Sequence, residues 1–236
     1  MTALPRHTES ATLLAFPRAR AALPAEIGAA LRFHRLPEML AAGLVRDAAG
    51  WPGYQSHEAL ACAIAARSGQ APLDLAKARA ILLLGPAGSG KSAVAAKIIH
   101  AAGLAGRKAI CLAAEKPCPH GGSSTLTVME AAGFNPLNGR AASAFAALAG
   151  RPGVETFGVI SALTDAADAA DIVAALKLRR VIVTGLDRTR RLGALVAAIT
   201  GGARLAHVTR GSCPEDALEM LEPGALAALL LESAAH

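Results

Sequence analysis

AILLLGPAGSGKS, Ala80 to Ser92, is the stretch whose reading decides the fold. Five apolar residues without a polar break describe a strand buried on both faces, and KSAVAAKIIHAAGLAG after it carries a helical pattern. Between them Gly85, Pro86, Ala87, Gly88, Ser89, Gly90, Lys91 and Ser92 fit G-x-x-x-x-G-K-[ST]. In a strand-to-helix context that pattern means a phosphate-binding loop. Its glycines let backbone N–H groups turn inward on phosphates, and the following helix presents its positive end. Lys91 is placed to reach the β- and γ-phosphates and Ser92 to ligate Mg²⁺. A Gly-rich turn with a chance Lys-Ser is the bland alternative, and the flanking strand and helix weigh against it.

Outward from this loop, strands and helices alternate. AILLLG, KAICLAA, STLTVME, TFGVISA, RRVIVTG and RLAHVTR read as strands; RAASAFAALAG, DAADAADIVAALKL and RRLGALVAAITGG read as helices, with PGALAALLLESAAH as a closing helix. The pattern predicts an α/β fold of the P-loop NTPase class, a mostly parallel sheet with helices on both faces. Upstream, AEIGAALRFHRLPEMLAAGLVRDAA and SHEALACAIAARSG are helical in pattern, with Pro37 opening a helix, Ser56 as an N-cap and Gly69 as a stop. The expected organisation is a flexible leader at 1–24, a small α-helical N domain at 25–78 and a nucleotide-binding domain at 79–236.

Composition fits this plan. With 53% hydrophobic residues in 236 the chain can bury a substantial core, and its net charge of +6 permits an anionic partner. The charge is dispersed, its densest cluster being Arg188, Arg190 and Arg191, and no aromatics are interleaved for base stacking. Nucleic-acid binding is therefore not expected. Cys62, Cys111, Cys118 and Cys213 form no CxxC, and Cys118-Pro119-His120 lacks a matching second pair of metal ligands, so free thiols are expected. No run reaches the ~18 apolar residues of a membrane span, and no signal peptide is legible, which gives a cytoplasmic expectation.

A second stretch bears on the base. VIVTGLDRTRRLG, 181 to 193, ends a β-branched strand at Thr184 and places Asp187 three residues on. In a doubly wound sheet, residues at the carboxyl ends of strands face the ligand. A carboxylate there accepts from the N1–H and exocyclic amine of guanine, and adenine has no donor at N1. Guanine-reading loops of the T-K-x-D type carry a lysine where this chain has Gly185. Taken alone, TGLD is as consistent with a plain strand end as with a base-reading loop.

The order of motifs beyond TGLD resembles the signal-recognition-particle family of GTPases, and within it the flagellar branch. TGLD is succeeded by Gly193 and a helix, then by the strand RLAHV, a loop with Gly211, and Pro214-Glu215-Asp216. The helical segment before the phosphate loop matches that family's N domain. The resemblance implies GTP or GDP with Mg²⁺ as ligands, contacts from Thr184, Asp187 and Gly211, and a homodimer or N–G heterodimer with a related GTPase. It also implies flagellar assembly or placement as the role, with peripheral contact to flagellar base proteins or the inner face of the cell membrane.

The chain departs from the family in its middle. The family's D-T-A-G, whose Asp holds Mg²⁺ through water, has its best match in Glu130-Ala131-Ala132-Gly133; VMEAAG reads equally well as helix. The span from Lys91 to Glu130 is too short for the family's inserted α/β segment, and no Arg stands at the switch position after KAICLAA. Such groups orient the attacking water and offset charge on the transferring phosphoryl, so binding is expected to outlast hydrolysis.

Two other readings remain at this level. A small ATPase or kinase-like enzyme would leave TGLD a strand end and calls for a second acidic residue poised for a phosphoryl acceptor; Asp165 and Glu155 flank a strand, but neither is convincing in that role. A scaffold would leave the nucleotide site empty. His34 reads as a residue on a helix face, Trp51 as packing in the helical domain, and Glu215 and Asp216 as caps of the next helix.

Overall fold

The computed structural model describes residues 16–51, 53–115, 125–135, 138–149 and 151–235. Three helices lead: α1 (Phe16–Phe33), α2 (Glu38–Ala49) and α3 (Ser56–Arg67). Strands and helices then alternate as β1 (Ala80–Leu84), α4 (Lys91–Leu104), β2 (Ala109–Ala113), β3 (Leu126–Glu130), α5 (Gly139–Ala149), β4 (Val154–Ser161), α6 (Ala166–Ala175), β5 (Arg180–Thr184), α7 (Gly193–Thr200), β6 (Arg204–Val208) and α8 (Pro223–Ala235). All six strands lie where apolar runs predicted them, and VMEAAG resolves as strand up to Glu130.

The six strands form one sheet in the order β2-β3-β1-β4-β5-β6, and every described pairing is parallel. This is the α/β P-loop NTPase architecture. The chain runs to one side of β1 with β2 and β3, then returns to the other with β4, so the strand order reverses beside the phosphate loop. Ligands of such sheets bind outside the carboxyl ends at that reversal.

Alternation along the strands builds two cores. Ile81, Leu83, Val128, Val159 and Ile182 face α4 with Val94 and Ile98, while Leu82, Leu84, Met129, Ile160, Val181 and Val183 face the opposite layer. That second layer contains α6, α7 and the leading helices, which explains why β1 is buried along its whole length. An all-apolar strand is what two covered faces require.

The helical unit draws on both ends of the chain. Helix α8 packs against α1 and α3, so the closing helix joins the leading ones. Helix α1 begins at Phe16, inside the stretch read as leader, and carries Pro24 within it. The cap of α3 is Gln55 and not Ser56: the Gln55 N–H donates to Glu58 Oε2 at 2.9 Å, while the Ser56 hydroxyl is spent on Glu26 of α1. The same helix stops at Arg67 with Ser68 as its C-cap, which leaves Gly69 just past its end, as expected of a stop. Trp51 is 42% exposed and tilts against Tyr54, at 5.8 Å between ring centroids, in place of the expected packing.

His34 is a larger correction. It is 1% exposed, and its Nε2 donates to the Leu230 carbonyl of α8 at 2.8 Å while Nδ1 accepts from Leu192 N–H at 3.0 Å. A ring that accepts at Nδ1 must be neutral, and burial pushes its pKa down, the Leu230 bond opposing and nearby Arg191 adding to the shift. A Cβ on Gly193 would lie 2.1 Å from the His34 carbonyl oxygen, so glycine is required where α7 meets this turn. The helical unit and the sheet domain are thus joined at His34.

Candidate functional site

The phosphate loop curls as its glycines allow. Gly88 and Gly90 adopt φ of 75° and 92°, in the left-handed region that side chains avoid. At Gly85 the constraint is space: a Cβ would sit 2.2 Å from the Val159 carbonyl oxygen of β4. The Lys91 ammonium folds back over the loop and donates to the Gly85 and Pro86 carbonyls at 3.0 and 2.8 Å. Burial pushes its pKa below the ordinary lysine value, and the Glu130 charge partly restores it.

Glu130 ends β3 in register with Leu83 of β1, which carries it to the first turn of α4. There the Ser92 hydroxyl donates to Glu130 Oε2 at 2.7 Å. The loop after Glu130 packs on the phosphate loop, with Phe134 bridging to Pro86, and a Cβ on Gly133 would lie 2.9 Å from the Ala87 Cβ. Glu130-Ala131-Ala132-Gly133 therefore lies beside the phosphate loop. A hydroxyl and a carboxylate, both hard oxygen donors beside a phosphate loop, suit Mg²⁺. The other Glu130 oxygen contacts Cys111 Sγ at 3.3 Å; burial and then this carboxylate raise the thiol pKa to about 11, so Cys111 stays a neutral thiol at physiological pH.

The candidate base end is assembled from two loops. After β5, Gly185 adopts φ of 72° and a short 3-10 turn, Leu186–Arg188, carries Asp187 to the surface. Asp187 Oδ1 accepts from the Gly211 N–H at 3.0 Å, joining TGLD to the loop after β6. The left-handed backbone at Gly185 supplies a physical reason for the absent lysine, since a side chain there is strained. Thr184 stands differently: it is buried, and its hydroxyl donates to the Ser89 carbonyl at 2.7 Å, bracing the phosphate loop from behind.

Other sequence candidates are drawn into structural contacts. Glu155 pairs with Arg180 at 2.7 Å within the sheet, and Asp165 caps α6 by accepting from Ala167 N–H at 2.8 Å. Neither is poised beside the phosphate loop. Glu215 and Asp216 do not cap a helix, because the next one begins at Pro223. Arg191 lies over the Phe33 ring at 5.7 Å. Cys62, Cys111 and Cys213 are free, and Cys118 with His120 lies outside the described residues.

Sequence reasoning missed Lys97. This α4 lysine is 1% exposed, yet its ammonium donates to the Cys213 carbonyl at 2.6 Å and the Asp216 carbonyl at 3.1 Å. It also pairs with Asp216 Oδ2 at 3.3 Å. The available signal was a lone lysine on the apolar face of AVAAKIIHAA, a position where a charge needs a built partner.

No protein-family model matches the sequence, and no curated protein matches it either. Solved structures do match. FlhF complexed with GTP and Mg²⁺ superposes with a TM-score of 0.70 at 16% identity, covering 89% of this chain and 99% of that one. The signal recognition particle 54 kDa protein of Aeropyrum pernix K1 in complex with GDP gives 0.67 at 20% identity, over 94% and 66%. The cell division protein FtsY of Thermotoga maritima gives 0.63 at 16%, over 91% and 88%. The likeness is one of fold, and at that level it bears out the resemblance to the signal-recognition-particle GTPases. Among the described residues no helix is long and apolar enough to cross a membrane.

Proposed function

We propose that this chain is a guanine-nucleotide-binding protein of the signal-recognition-particle GTPase type, nearest in kind to the flagellar branch. The carrying observation is the meeting of both halves of a site at one end of the sheet: the Lys91 loop with Ser92 and Glu130, and Asp187 with Gly211. The backbone N–H groups of 87–92 and Lys91 hold the phosphates, Asp187 reads guanine, and Ser92 with Glu130 would hold Mg²⁺. When bound, Mg²⁺ offsets phosphate charge and fixes the geometry of the terminal phosphates.

Hydrolysis is the weaker half of the proposal. From Glu115 to Thr125 the sequence has no arginine, so no guanidinium there offsets charge on a transferring phosphoryl. A slow GTPase that switches or docks by nucleotide binding is the reading this supports. Its partner is then a second copy or a related N–G protein, at a cytoplasmic site against the inner membrane face or the flagellar base.

Single-turnover hydrolysis in excess protein tests the slow-enzyme half. A rate near that of GTP in buffer with Mg²⁺ supports a binding module. Turnover at about 1 s⁻¹ or faster, within the ordinary enzyme range, contradicts it.

A further inference from the structure

The base-reading loop is not held by its own chain neighbours alone. Gly211 through Asp216 crosses the back of α4, and Lys97 reaches into it from six residues beyond the phosphate-loop lysine. The ammonium donates to two acceptors, the Cys213 and Asp216 carbonyls, and forms an ion pair with Asp216 Oδ2. The same Oδ2 accepts from the Cys213 N–H at 3.0 Å and closes the loop on itself. It also lies 2.3 Å from where a Gly211 Cβ would be, so the carboxylate abuts the Gly211 backbone. Gly211 in turn donates to Asp187.

We propose that Lys97 and Asp216 are positioning residues for guanine specificity, fixing the distance from the phosphate loop to Asp187 through Gly211. The inference rests on the guanine-binding reading above and names what sets its selectivity. Lys91 and Lys97 stand on one helix, so phosphates and base are measured from the same rigid element. A buried ammonium with two carbonyl acceptors and a carboxylate partner holds its loop tightly, and a loop free by even an ångström would misplace Asp187. Asp187 itself is exposed and bonded to a single loop N–H, so it has no equivalent support of its own.

ADP and GDP share every phosphate contact and differ only in the base, so their affinity ratio isolates the positioning role from damage to the phosphate loop. The expectation for Lys97→Met and Asp216→Ala is that GDP binding weakens about 10-fold or more, the scale of a lost charged hydrogen bond, while ADP binding is unchanged. Lys97 is buried, and Asp216→Ala, altering a 43% exposed side chain, keeps the test open should Lys97→Met fail to fold. Circular dichroism of each variant confirms that it is folded before titration. Equal weakening for both nucleotides, or unchanged GDP affinity in folded variants, overturns the positioning role. A wild-type chain with no preference for GDP over ADP overturns the guanine reading, and this inference with it.

Discussion

The two ends of the candidate site are built on opposite plans. The phosphate end is eight consecutive residues between one strand and one helix, and its shape comes from three glycines, a lysine and a serine. The base end joins Asp187 to Gly211 across 24 positions, and then to Lys97 on a third element. A contiguous cradle can tolerate change elsewhere in the domain, because its geometry is local. An assembled one depends on every element that carries a piece of it. Between these two ends, the one departure from the expected pattern nonetheless falls at the candidate base end, where Gly185 stands in the lysine position, whereas the loop from Gly85 to Ser92 keeps its full pattern.

Substitutions at the phosphate end should be severe and blind to the base. Gly85→Val forces a side chain into the Val159 carbonyl and should destabilise the fold by about 3 kcal/mol, the upper range for overpacking. Urea unfolding measures this. Lys91→Ala should leave the fold intact, yet weaken GDP and ADP alike by about 100-fold through lost charged hydrogen bonds. Calorimetric titration of both nucleotides would show it, and a base-dependent loss would break the division drawn here. Ser92→Ala should cost about 10-fold only when Mg²⁺ is present, which a titration repeated in chelator would reveal.

Acid should act away from the phosphate end. His34 and His207 are both buried with pKa values below 6.5, chiefly by desolvation. The unfolded chain then binds protons that the folded chain refuses, so their stabilisation is present above pH 6.5 and is lost as pH falls below it. Melting temperature should drop by about 2–4 °C for each kcal/mol lost in a chain of this size, and a His34→Gln, His207→Gln double variant should flatten that slope. The smallest effect expected is at Gly185. Restoring the lysine with Gly185→Lys should cost about 1 kcal/mol because of the left-handed backbone, with no gain in guanine affinity.

Much of this was legible in the sequence. The apolar run of β1 and the β-branched run of β5 announced buried parallel strands, and the glycines with Lys91 and Ser92 announced the cradle. Glu130 stayed ambiguous because VMEAAG suits helix and strand alike, and only its pairing beside Leu83 decides for the strand. Ser56 was misread because a cap is settled by which hydroxyl is free, and this one is claimed by Glu26 thirty positions away. His34, Lys97 and Asp216 were undervalued for a related reason. Each gains its role from a partner distant in the chain, such as Leu230, Leu192 or Cys213, and no local pattern records such a meeting.

The most direct test of the central claim is titration of the purified chain, with Mg²⁺, against fluorescent GDP, GTP and ATP analogues, repeated with Asp187→Asn. Guanine-selective binding that weakens in the variant, toward the weaker ATP affinity, is the expected result. Equal affinity for ATP and GTP, unmoved by the substitution, would contradict it and favour a base-blind ATPase; no binding of any nucleotide would leave the loop a structural relic.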